Sequence, residues 1–116
     1  MSARVPLVSR GRIYLAPTNG EDDAETKFWL CVSNNDRNPR LDEFIAVRMT
    51  STRRHLASWV RLGERDRPWV SVACDDIGPI YRDQVIKDAG ALSVPAMRDV
   101  ERALLVVLGI DPARRP

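Results

Sequence analysis

Histidine is nearly missing from these 116 residues. His55 stands alone, and the only two cysteines, Cys31 and Cys74, form no CxxC pair. Structural and catalytic metals are held by several such side chains at close spacing, so no metal centre and no cofactor is expected. Long apolar runs are missing too, and the N-terminus lacks the basic and apolar regions of a secretory signal, so neither a membrane span nor export is expected. A cytoplasmic address follows, in which thiols stay reduced. Both cysteines sit in apolar strand patterns, where a free thiol behaves as a small hydrophobe; a bridge would require neighbouring strands. No repeat or low-complexity segment is present.

An excess of charge is also lacking. Eighteen basic residues against sixteen acidic leave +2, which does not announce a nucleic-acid partner. Distribution says more than the total. Glu21, Asp22, Asp23 and Glu25 make one acidic loop, whereas Arg48, Arg53, Arg54 and Arg61 gather in the middle of the chain. At this length a single domain, residues 1–116, can bury a real core without staples.

What the chain does contain is best read outward from Lys27–Asn35. Phe28 to Val32 is an apolar, β-rich run, which marks a central strand buried on both faces. Ser33, Asn34 and Asn35 end it with turn chemistry and deliver amide and hydroxyl groups to one rim, where function is expected. Before it come a loose arm, residues 1–10, and a short strand at Arg12–Ala16. After it, Phe44–Thr50 alternates, with Ile45, Val47 and Met49 facing the core and Ala46, Arg48 and Thr50 facing out. Ser58–Leu62 and Trp69–Asp75 complete about five strands, with Gly78-Pro79 ending the last. Tyr81–Asp88 reads as a short helix or turn. Ser93 caps a helix with Pro95 in its first turn; Met97, Val100, Leu104, Val107 and Leu108 keep helical spacing, and Gly109 suits the C-terminal cap. Residues 111–116 read as a frayed tail. This order predicts a mainly β chain with α: a small antiparallel barrel over residues 11–92 carrying an amphipathic helix over 93–110.

Several segments then fall into a known order. Arg10-Gly11-Arg12-Ile13-Tyr14-Leu15 resembles the opening of the MazF/PemK toxins of bacterial toxin–antitoxin pairs. Leu30-Cys31-Val32-Ser33-Asn34-Asn35 resembles their second-strand motif, Val47-Arg48-Met49-Thr50-Ser51 their third, and Cys74-Asp75 with Ile77 and Ile80 their fifth. The closing Leu108-Gly109-Ile110 is similar as well, so the match runs from Arg10 to Ile110. The resemblance implies an SH3-like barrel, a homodimer, and metal-independent cleavage of single-stranded RNA by attack of a 2′-hydroxyl on the adjacent phosphate. It also implies a cognate antitoxin whose disordered acidic tail blocks the RNA groove.

By the same resemblance Thr50 takes the threonine position, Asp75 the fifth-strand acid and Asp22 the loop acid, with Glu21 or Asp23 as alternatives after a small shift. Two positions depart from the pattern. Lys27-Phe28 replaces Arg-Pro, and an ammonium is a point charge where a guanidinium forks onto phosphate; Ala73 stands where some members have arginine. Arg48 shares a face with Thr50 and is assigned the transition-state charge, with Lys27 assisting. Asp22 or Asp75 is the general base. Ser33, Asn34, Asn35, Arg53 and Arg54 are expected to contact RNA, the arginines by tracking its backbone. Trp29, Trp59 and Trp69 are read as core or dimer-interface residues, with a stacking platform for a base as the alternative for one of them. Rival readings are a member that binds RNA or antitoxin without cutting and, less fittingly, a DNA-gyrase poison.

Overall fold

Strand β2 (Thr26–Cys31) lies between β1 (Arg12–Pro17) and β3 (Glu43–Thr50), as a run of that apolarity requires. The computed structural model describes residues 7–18, 25–67 and 69–113. Three further strands, β4 (Trp59–Arg61), β5 (Ser71–Tyr81) and β6 (Lys87–Ala91), complete one antiparallel sheet ordered β4-β5-β3-β2-β1-β6. Helix α1 (Val94–Leu108) follows.

The sheet curls until its two ends meet. Asp66, in the β4–β5 turn, accepts hydrogen bonds from the Ser93 backbone N–H (2.7 Å) and hydroxyl (2.9 Å), and the Arg67 guanidinium donates to the Ala89 carbonyl. These bonds close the barrel around a core of Ile13, Leu30, Val47, Met49, Val72 and Cys74, capped by Val100 and Ala103 of α1. Each fully buried Ile, Leu or Val stabilises by ~1.5–3 kcal/mol. Both ends of α1 form as expected. The Ser93 side chain accepts from the Ala96 N–H, and Gly109 adopts the left-handed conformation (φ 67°) that closes a helix without a Cβ clash.

A second core lies on the other face of the sheet: Tyr14, Trp29, Cys31, Phe44, Ala46 and Ile80. It corrects the expected sidedness of β3. Ala46 is fully buried and Ile45 only half-buried, because that face begins under cover and opens only at Arg48. Cys31 and Cys74 belong to opposite cores, on strands separated by β3, so they are not neighbours and both are free.

Two more expectations change. Strand β5 does not stop at Gly78-Pro79 but pairs with β3 as far as Tyr81. Since β4 covers only Ser71–Ala73, Pro79 lies on a stretch with one sheet neighbour, where a residue without an N–H is tolerated. Only Arg82–Gln84 of the segment read as helix or turn is helical, and Lys87–Ala91 is a sixth strand on the edge beside β1. No helix among the described residues is long and apolar enough to cross a membrane.

Candidate active site

Antiparallel register decides which side chains meet. Across one face, Tyr14, Trp29, Arg48, Ala73 and Trp59 stand directly opposite one another in a row over β1, β2, β3, β5 and β4. The next row carries Ala16 and Lys27 on one side and Thr50, Ser71 and Arg61 on the other. Extending the Phe28↔Met49 register by one residue sets Lys27 beside Thr50. Lys27, Arg48 and Thr50, singled out from sequence, therefore share one face at one end of the barrel.

A bulge completes the group. Between Val47↔Ile77 and Arg48↔Ala73 the β3–β5 register shifts, so that Cys74, Asp75 and Asp76 have no partner on β3. Extra residues in a strand re-aim their side chains. Asp76 here comes within 3.7 Å of Arg48, and Asp75 turns to β4, where its Oδ2 accepts from the Ser58 hydroxyl (2.9 Å) and Trp59 Nε1 (3.0 Å). Arg48, Thr50, Thr52, Arg54, Trp59, Ala73, Asp75 and Asp76 line a cavity of about 260 Å³. The guanidinium of Arg54 lies 5.4 Å from the Trp59 ring centroid, a cation–π contact.

The polar atoms here are poised for a ligand of negative charge. Thr50 Oγ1 accepts from the Thr52 N–H at 3.2 Å, which leaves its own proton to donate. Arg48 Nε and Trp29 Nε1, cross-strand neighbours, are buried without a hydrogen-bond partner among the described residues. Lys27 Nζ pairs with Glu25 at 2.9 Å, and Lys27, with a smaller contribution from Arg48, holds the Glu25 carboxyl below its usual range. Glu25 was missed in the sequence reading. Strand parity was the available signal, since a residue two before Lys27 shares its face.

The remaining candidates divide. Asp22 lies outside the described residues. Arg53 and Arg54 are exposed and, with His55, Trp59 and Arg61, line a second cavity of about 390 Å³ on the other side of Trp59. Asp75 braces β5 to β4 through Oδ2, while its Oδ1 accepts no hydrogen bond among the described residues. Ser33, Asn34 and Asn35 lie elsewhere, past the far end of β2, about 20 Å along the strand from Lys27 at ~3.3 Å per residue. Ser33 is used internally, and Asn34 and Asn35 are exposed and engaged through their Oδ1 atoms. Ser33 is buried, donates to Asn38 Oδ1 (2.5 Å) and accepts from the Ile45 N–H (3.0 Å). Asn34 accepts from the Asp36 N–H (2.6 Å), and Asn35 from the Arg10 N–H (2.7 Å). The rim expected to carry function is a knot that holds the turn. Among the described residues no three His, Cys, Asp or Glu side chains gather as metal ligands.

Comparison with known proteins gives the family. A family model described as a PemK-like, MazF-like toxin of type II toxin–antitoxin systems matches residues 9–108. The chain is 36% identical over 84 residues to Endoribonuclease MazF4 of Mycobacterium tuberculosis and equally to Endoribonuclease MazF1 of Mycobacterium bovis, covering 72% of this chain and 80% of each relative. An endoribonuclease solved in complex with its cognate antitoxin from a mycobacterial species superposes with a TM-score of 0.79 at 32% identity, over 96% of this chain and 99% of that one. A chain of the MazE–MazF crystals from Deinococcus radiodurans, at 15% identity with a TM-score of 0.78 over 91% of this chain and 100% of that one, shares the fold. The chain belongs to the PemK-like, MazF-like toxin family of type II toxin–antitoxin systems.

Proposed function

We propose that this chain is the endoribonuclease toxin of a toxin–antitoxin pair and cuts single-stranded RNA without a metal ion, with Lys27, Arg48 and Thr50 as its reacting face. The observation that carries the reading is the register that sets these three side chains on one face, with Arg48 and Thr50 lining one cavity there. The 2′-oxygen attacks the adjacent phosphorus and gives its proton to a carboxylate. The bond from phosphorus to the 5′-oxygen then breaks, and that oxygen takes up a proton. The products are a 2′,3′-cyclic phosphate and a 5′-hydroxyl end. Arg48 and Lys27 meet the charge that grows on the phosphoryl oxygens, and the Thr50 hydroxyl donates to one of them. The base is an acid of the β1–β2 connection: Asp22, or Glu25 beside Lys27. Asp75 keeps β4 in place.

The expected partners are single-stranded RNA, an antitoxin whose disordered acidic tail covers the cationic face, and a second copy of the chain, all in the cytoplasm. Incubating the purified protein with a long RNA in the presence of a chelator, and mapping the ends, tests the reaction. Cyclic phosphate and 5′-hydroxyl ends at a short recurrent sequence support it. One observation favours a second reading, a binder that does not cut: the Lys27 charge is already met by Glu25. Intact RNA together with tight RNA or antitoxin binding would select it.

A further inference from the structure

The cavity that Arg48 and Thr50 line extends across to Trp59. Its floor is Ala73, the smallest side chain in the cross-sheet row, and the gap it leaves separates the cation of β3 from the indole of β4. The wall is oriented. Trp59 Nε1 is tied to Asp75 Oδ2, so the indole is held edge-on to the bulge with its ring between two cavities. The polar rim is asymmetric as well. Asp75 Oδ2 already accepts two hydrogen bonds, from Ser58 and Trp59, whereas Oδ1 accepts none among the described residues. Asp76 is a second acceptor lining the same space.

We propose that this cavity is a nucleobase subsite in which a base flanking the scissile phosphate stacks on Trp59 and presents N–H groups to Asp75 Oδ1. The inference rests on the ribonuclease reading for its ligand, RNA. Aromatic stacking accepts any base. Ionised carboxylates accept hydrogen bonds and cannot donate them, so the rim discriminates. Guanine, with adjacent ring and exocyclic N–H donors, matches a carboxylate best. Uracil, whose single ring N–H is flanked by two carbonyls, matches it worst. Arg54, which now covers the Trp59 ring and lines both cavities, moves to the neighbouring phosphate as the base enters. Trp59 and Asp75 thus set specificity without joining the reaction.

The test uses short 2′-O-methyl oligonucleotides, which cannot be cut, varied at one base at a time. They are titrated into wild type, Trp59→Phe, Trp59→Ala and Asp75→Asn, each checked for a cooperative melt. Wild type is expected to bind the guanine probe more tightly than the uracil probe at one position. Trp59→Ala weakens the best probe about 5- to 150-fold, the equivalent of the ~1–3 kcal/mol of base–aromatic stacking, and Trp59→Phe retains most of the affinity. In Asp75→Asn the amide oxygen stays with Ser58 and Trp59, both donors, so its NH₂ turns to the cavity and the preference shifts from guanine toward uracil. An unchanged base ranking in Asp75→Asn, or wild-type affinity in Trp59→Ala, overturns the subsite; should Trp59→Ala not fold, Asp75→Asn decides alone. Base-selective binding as described, with no cleavage of ordinary RNA, would leave the subsite standing and remove the nuclease reading.

Discussion

The two ends of β2 carry polar side chains of similar number and opposite character. Past Cys31, Ser33, Asn35 and Asn38 spend their hydrogen bonds on one another and on the backbone of β3 and the Arg10 turn. Around Lys27, the hydrogen-bonding capacity is not used up. Among the described residues Arg48 Nε and Trp29 Nε1 lack partners, the Arg48–Asp76 pair is long at 3.7 Å, and the Thr50 proton is uncommitted. Buried polar groups are normally satisfied, and an unmet set beside a cavity marks where a ligand belongs. Polar side chains thus build a turn at one end and a candidate site at the other, and what separates them is how far the fold uses up their hydrogen bonds.

Substitutions at each end should fail in different ways. The largest effect is expected from Arg48→Ala: cleavage falls about 10²–10³-fold, as for loss of one donor to a developing oxyanion, with little change in the melting temperature. Next, Asn38→Ala strands the Ser33 carbonyl and hydroxyl and should lower stability by ~1–3 kcal/mol in urea titration, while cleavage per folded molecule stays near wild type. Smaller still, Lys27→Arg replaces a point charge by a fork suited to phosphate and should raise cleavage a few-fold, on the order of 1 kcal/mol of barrier; a drop would show that the Glu25 pairing matters more. The smallest effect is none. Burial pushes the Cys74 thiol up to about 12 and raises Cys31 as well. Thiols react as thiolates, so alkylation at pH 8 should leave the native mass unchanged and modify both cysteines only in denaturant.

Legibility in the sequence followed the strength of local signals. Strands β1 to β3 announce themselves by apolar runs, and α1 by Ser93, Pro95 and Gly109 at its ends. Strand β6 does not, because Lys87-Asp88-Ala89-Gly90-Ala91 is an edge held by backbone pairing to β1 and by the Arg12–Asp88 ion pair at 2.7 Å, with no alternating apolar face to read. Thr50 was named by the family resemblance, and Arg48 by sharing its face within one strand. Placing Lys27 beside them rests on β2–β3 register, which local pattern does not fix. The bulge at Cys74–Asp76, which gives Arg48 its acidic neighbour and Trp59 its brace, is a three-strand feature with no local signature. Ser33–Asn35 were ambiguous for the opposite reason: turn chemistry and ligand chemistry use the same side chains, and only burial and partners tell them apart.

The most direct test compares Thr50→Ala with Asn35→Ala in the chelator-treated RNA assay, with end mapping and rates corrected for the folded fraction. The account predicts that Thr50→Ala loses most of the cleavage with its fold intact, and that Asn35→Ala cuts the same sequences at nearly the wild-type rate. Wild-type cleavage by Thr50→Ala, or a well-folded Asn35→Ala that no longer cuts, would place the site at the wrong end of β2.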